Sequence, residues 1–154
     1  MMTYIKINRS TLLVLFGVIG LSIAFAACSN KFKPQLNSAH GINFKVTTLA
    51  QAMEFSKVQN KPLFVFAHAS WCPTCKKMEQ EVLVKKELGE TYNAQLINIA
   101  IDVDSPEGKK LNEQYPIRAT PTLFFFNPDG TVAKKLEGFT TDEELLAEAQ
   151  ELKK

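Results

Sequence analysis

The stretch "LFVFAHASWCPTCKKME" (Leu63–Glu79) decides how this chain is read. Leu63–Ala69 is a nearly continuous apolar run, the pattern of a central strand covered on both faces. Two of the chain's three cysteines, Cys72 and Cys75, follow at once. Pro73 suits the first turn of a helix, where its missing N–H costs no hydrogen bond. Beyond it Cys75, Met78 and Val82 share one helical face, with Lys76, Lys77 and Glu81 outside it. The spacing predicts a helix from Cys72–Pro73 to about Leu88, ending at Gly89. A cysteine at a helix N-terminus meets unpaired N–H groups and the positive end of the helix dipole. Both favour thiolate over thiol and make Cys72 a nucleophile near neutral pH. Cys75 lies one turn further in, facing the core and within reach of a disulfide. The roles divide accordingly: Cys72 attacks a substrate disulfide, and Cys75 resolves the mixed disulfide.

Two other uses of the pair compete. A zinc site takes four ligands, usually from two such pairs. The chain has one further cysteine, Cys28, and two histidines, His40 and His68, of which only His68 is near the pair in sequence. No metal and no other cofactor is expected. Inert structural thiols are the second alternative, and a reduced pair does not stay inert in an oxidising compartment.

Outward from the pair, units of strand and helix alternate. "INFKV" (Ile42–Val46) reads as an edge strand, and Thr47 as the cap of a helix to about Gln59. Gln95–Val103 is a second buried strand, and Pro106 to about Gln114 a short helix. Thr122–Asn127 is a strand, Pro128–Gly130 a hairpin turn, and Thr131–Gly138 the returning strand. Thr140 or Thr141 caps a last helix, with Leu145, Leu146, Ala149 and Leu152 facing inward. The expected class is α/β, a central mixed sheet with helices on both faces. In such sheets functional groups gather at the C-terminal ends of parallel strands, which is where Cys72 falls.

The front of the chain has a separate character. Lys6 and Arg9 precede an apolar run, Leu12–Ala27, of 16 residues. About 20 residues are needed to cross a bilayer, so residues 1–27 read as an export signal. "IAFAACSN" ends it, with Ala26 and Ala27 before Cys28 and Phe25 three before it. The segment resembles a bacterial lipobox, which implies that Cys28 becomes a lipid-bearing N-terminus and membrane anchor. Residues 28–41 then form the anchor cysteine and a polar tether, and residues 42–154 the domain. The full chain carries 18 basic and 16 acidic residues. The signal holds two of the basic ones and no acid, so the remainder is balanced. That excludes a nucleic-acid footprint as an expectation. The expected location is the periplasmic side of the cell envelope.

"FVFAHASWCPTCK", "YPIRATPTLFFFNPDG" and "LEGF" together resemble the thioredoxin superfamily across about Thr47–Leu152. Pro121 stands 46 residues after Cys75, inside T-P-T. The resemblance implies a thioredoxin fold and a cis-proline at Pro121 beside the cysteines. It implies a substrate groove of Trp71, Pro73, Thr74, Thr120, Pro121, Gly138 and Phe139, with the Thr120 backbone pairing to a client strand. Thioredoxins carry a buried Asp six residues before the first cysteine and a Lys beside it on the next strand. Phe66 and Ala100 occupy those positions here. Losing both is physically coherent, since losing one strands a charge. His68 is then the nearest titratable candidate for proton acceptor, against a strand-end histidine with no catalytic part. Pro73-Thr74 between the cysteines adds no charge, which points to a reducing protein. The resemblance therefore implies a monomeric, extracytoplasmic reductase of protein disulfides, fed by a transmembrane thiol-reductant conduit. Reduction of apocytochrome cysteines in cytochrome c maturation, and a non-enzymatic client-binding module, are the alternatives.

Overall fold

The computed structural model describes residues 39–152. The expected export signal, Cys28 and most of the expected tether lie outside the described residues. Helix α1 (Leu49–Gln59) opens on Thr48, not Thr47. Thr48 and Gln51 satisfy each other's backbone N–H groups in a capping box. Asn60, in the left-handed region at φ 49°, closes the helix. Strand β1 (Leu63–His68) follows. Then come α2 (Pro73–Glu81), α3 (Lys86–Gln95), β2 (Ile97–Asp102), α4 (Pro106–Gln114), β3 (Thr122–Phe126), β4 (Val132–Glu137) and α5 (Asp142–Glu151).

The strands form a four-stranded sheet in the order β2-β1-β3-β4. β1 runs parallel to β2 and antiparallel to β3, and β3 to β4 is antiparallel. Side chains on a strand alternate between faces. Phe64 and Phe66 therefore join Leu123 and Phe125 under α2, α3 and α5. Leu63, Val65 and Ala67 join Phe124, Phe126 and the β2 isoleucines under α1 and α4. Both faces of β1 and β3 are buried, which explains why these strands are apolar without alternation. β4 lies at the sheet edge and is largely exposed, in keeping with its two lysines, Lys134 and Lys135.

Two expectations are corrected. Ile42–Val46 is not a strand, although the Lys45 N–H reaches the β2 edge at Asn98 O, 2.9 Å away. Ile42 donates instead to Leu83 O, and Asn43 to Asn93 Oδ1. Ile42 and Phe44 are pulled into the α2–α3 core, so the segment runs as a strap rather than a ladder partner. The long helix expected from Cys72 to Leu88 is two helices. Val82 and Leu83 are consecutive and both buried, and both their N–H groups bond Met78 O. Sinking adjacent side chains into one core bends the chain at 82–85 before α3 begins. Gly89 lies inside α3 rather than at a helix stop. The strap crosses its face, and a Cβ there would overlap the His40 carbonyl and the Gly41 backbone.

Candidate active site

The site grows from the end of β1. His68 is its last residue, and a turn lets the Cys72 N–H donate to Ala69 O at 3.1 Å. Cys72 is the N-cap of α2, with extended backbone at φ −81° and ψ 112°. Its Sγ accepts the Cys75 N–H at 3.0 Å, the place an oxygen takes in an ordinary cap. Pro73 is in the first turn, and that turn contains no acidic residue to oppose a thiolate. Cys72 and Cys75 are disulfide-bonded, with Cα atoms 5.3 Å apart. Cys72 is 3% exposed and Cys75 0%, so an incoming group reaches Cys72 first.

The loop before β3 supplies the other wall. The Thr120–Pro121 peptide is cis. Thr120 O lies 3.4 Å from Cys72 Sγ, where a reduced thiol can donate to it. Gly138 follows β4 at φ +93°, a conformation that disfavours any residue with a Cβ, and donates to Pro121 O at 2.8 Å. Phe139 comes next, 41% exposed, with Lys77 Nζ 4.9 Å from its ring centroid. Trp71 is 63% exposed and donates from Nε1 to Asp104 Oδ2 at 2.7 Å. Thr74 is half-buried beside Pro73. Trp71 and Thr120 therefore share a wall at one side of the disulfide, while the Gly138 turn adjoins Pro121.

Behind the pair the site is apolar. The β1–β2 register puts Phe66 opposite Ala100, so neither of the positions discussed above carries a charge. Phe66 stacks on the His68 ring at 5.2 Å between centroids. His68 Nδ1 is 3.3 Å from Glu79 Oε1. Burial lowers the His68 pKa, partly offset by the Asp102 carboxylate. Burial raises that of Glu79, partly offset by Lys76. Both shifts favour the neutral forms, with the Glu79 carboxyl beside the His68 ring. Glu79 follows Cys75 by four residues on one helix, so its proximity was legible from helical spacing. The Asp104–Trp71 bond joins residues 33 apart, and no local pattern signals it.

These features meet a family pattern directly: the Thioredoxin-like domain family matches residues 49–153. The chain belongs to the thioredoxin-like domain family. Among relatives of this thioredoxin-like chain is the thiol:disulfide interchange protein DsbD of Photorhabdus laumondii, 31% identical over 60% of this chain and 17% of that protein. The chain thus spans about a sixth of the length of that relative. The thiol-disulfide oxidoreductase ResA of Bacillus cereus is 28% identical over 87% of this chain and 88% of its own. Among solved structures, a candidate disulphide isomerase of Bacteroides thetaiotaomicron superposes with a TM-score of 0.65. It is 30% identical, covering 77% of this chain and 98% of that one.

Proposed function

We propose that this thioredoxin-like protein is an extracytoplasmic reductase of protein disulfides that cycles through Cys72 and Cys75. The thiol–disulfide oxidoreductase chemistry rests on the bonded cysteine pair and on relatives named for that activity. One observation carries the assignment of roles. Cys72 Sγ caps α2 at the rim of the site while Cys75 is sealed beneath it.

In the reducing direction the Cys72 thiolate attacks a client disulfide. The client S–S bond breaks, one client thiolate leaves, and a Cys72–client disulfide forms. Cys75 then gives up its proton and attacks Cys72 Sγ. The second client thiolate leaves, and the proton ends on a client sulfur. Two electrons have passed from the protein dithiol to the client. The helix N-terminus favours the thiolate at Cys72 in the first step and the departure of Cys72 in its own re-reduction. A dithiol reductant, delivered by a transmembrane thiol conduit, restores the reduced pair. His68 is the candidate carrier for the Cys75 proton, with Glu79 Oε1 3.3 Å from its Nδ1. Trp71, Pro73, Thr74, Thr120, Pro121, Gly138 and Phe139 form the client groove. The Lys6/Arg9 and Leu12–Ala27 pattern supports export, and "AACS" supports lipid attachment at Cys28.

Turnover of a model protein disulfide with excess dithiol tests the activity. Wild type should turn over and Cys72→Ser should not; equal rates would remove the enzymatic reading. Equilibration of the pair with glutathione tests the direction. A potential near the thioredoxin value of about −270 mV is expected, and one above about −180 mV would remove the reductase assignment. Mass spectrometry should find an acylated Cys28 at the mature N-terminus.

A further inference from the structure

The wall between Trp71 and α4 encloses a cleft of about 330 Å³ that the exchange chemistry does not use. It is lined by Trp71, Asp104, Lys109, Asn112, Arg118 and Thr120, among others. Its position ties it to the disulfide, because Thr120 lines the cleft and its carbonyl lies 3.4 Å from Cys72 Sγ. Its charge is net positive. Asp104, its one acidic group, accepts the Trp71 indole N–H on Oδ2 at 2.7 Å, and two cations, Lys109 and Arg118, outnumber it in the lining. Asn112 Oδ1 accepts the Ile117 N–H at 2.6 Å, and its NH₂ group remains to donate. Among the described residues neither Lys109 nor Arg118 is in an ion pair. Arg118 lies within electrostatic reach of Glu137, whose carboxylate is ion-paired with Lys135.

The contrast with the other side of the groove is informative. A second hollow there, lined by Phe139, Glu137, Glu144 and Glu148, has its charges engaged. Glu137 and Glu148 pair with lysines, and Glu144 caps Thr141. Two cations against one carboxylate leave this side net positive beside the Cys72 sulfur, which favours an anionic ligand. A carboxylate is that ligand: it offers acceptors and no donor when ionised, and arginine binds it through its planar fork.

We propose that this cleft is the specificity pocket of the site and receives an Asp or Glu side chain of the client segment close to its reactive cysteine, held by Lys109, Arg118 and the Asn112 amide. The inference rests on the disulfide-reducing function proposed above and names its substrate class. Clients with acidic residues flanking their cysteines are reduced first; neutral and basic ones are disfavoured. The discrimination is electrostatic and exposed to water, so it weakens as salt rises.

The test uses three disulfide peptides with amidated C-termini, so that side chains supply the only carboxylates. They carry Glu, Gln or Lys at the two positions on each side of the cysteine. At low ionic strength wild type should favour Glu over Gln by about fivefold in kcat/KM, with Lys lowest. In Lys109→Gln/Arg118→Gln the three rates should converge, and Lys109→Glu/Arg118→Glu should invert the order. Equal wild-type rates for all three peptides would overturn the inference while leaving the reductase function intact. So would an unchanged Glu preference in the double glutamine variant. Binding is read without thiol chemistry by the fluorescence of Trp71, the one tryptophan of the chain, with serine in place of the peptide cysteine. If no peptide is reduced, the proposed function fails and this titration decides alone: tighter Glu binding supports the pocket, and equal affinities overturn it.

Discussion

Cys72 and Cys75 differ in one physical respect that decides their chemistry: a helix N-terminus holds the first at the rim, and the core seals the second. Cys75→Ser should therefore accumulate a Cys72–client disulfide, seen by intact mass, whereas Cys72→Ser should accumulate none. His68 adds a test at the same scale. If it carries the Cys75 proton, His68→Gln should slow decay of the mixed disulfide and leave its formation rate unchanged; slowing of both equally would assign His68 to packing alone. Its stability signature has a definite sign. The folded pKa of His68 is below 6.5, so the unfolded chain binds more protons as pH falls through that value. The His68 contribution is thus complete above about pH 6.5 and is lost on acidification below it. Glu79 runs the other way, because its folded pKa lies above 4.5: stability falls as pH rises from about 4.5 through that folded value. Melting temperatures between pH 7 and 5 should fall less in His68→Gln than in wild type. They should fall more in Glu79→Gln, which loses the compensating acid.

At the scale of elements, the positions that carry most information are those where a segment leaves its local preference. Gly89 looks like a helix stop and is instead the seat over which the strap crosses α3. Gly89→Ala should cost about 1–3 kcal/mol in denaturant unfolding, as overpacking does, despite the better helix propensity of alanine. Loss of less than a few tenths would mean that the strap moves freely. Phe44 anchors the same strap against Phe64 and Phe66, with ring centroids 6.2 and 6.1 Å away. Local patterning could not distinguish this strap from an edge strand, since alternation of Ile42 and Phe44 suits both. What separated them was where the backbone donors go, and that depends on Leu83 and Asn93 far along the chain. The caps were legible to within one residue. Thr141 caps α5 with Glu144 in a capping box, and Thr141→Ala should cost about 1 kcal/mol.

For the whole molecule, the sheet sets the hierarchy of stability. β1 is buried along almost its whole length and paired on both sides; β4 is paired on one side and exposed. Native-state hydrogen exchange should be slowest in β1 and β3 and faster in β4, with the active-site helix held to the slow core through Met78 and Cys75. Uniform protection across the four strands would contradict this order. The arrangement suits an exchange centre. The sulfurs sit at the start of the helix that follows β1, while Trp71 and Phe139 are exposed residues outside the helices and strands.

Residue order alone determined the fold class, the two buried strands, the hairpin and the cysteine pair at a helix start, because each leaves a short-range mark in apolar runs, turns and caps. The resemblance to thioredoxins singled out Phe66 and Ala100, which the register places face to face. Tertiary structure alone decided the break at 82–85, the strap over Gly89, the Glu79 partner of His68, and the donor-lined cleft beside Thr120. The reason is range. Helical and strand periods are written within a few residues, but a backbone donor or an unpaired lysine finds its environment only when segments tens of residues apart are packed together.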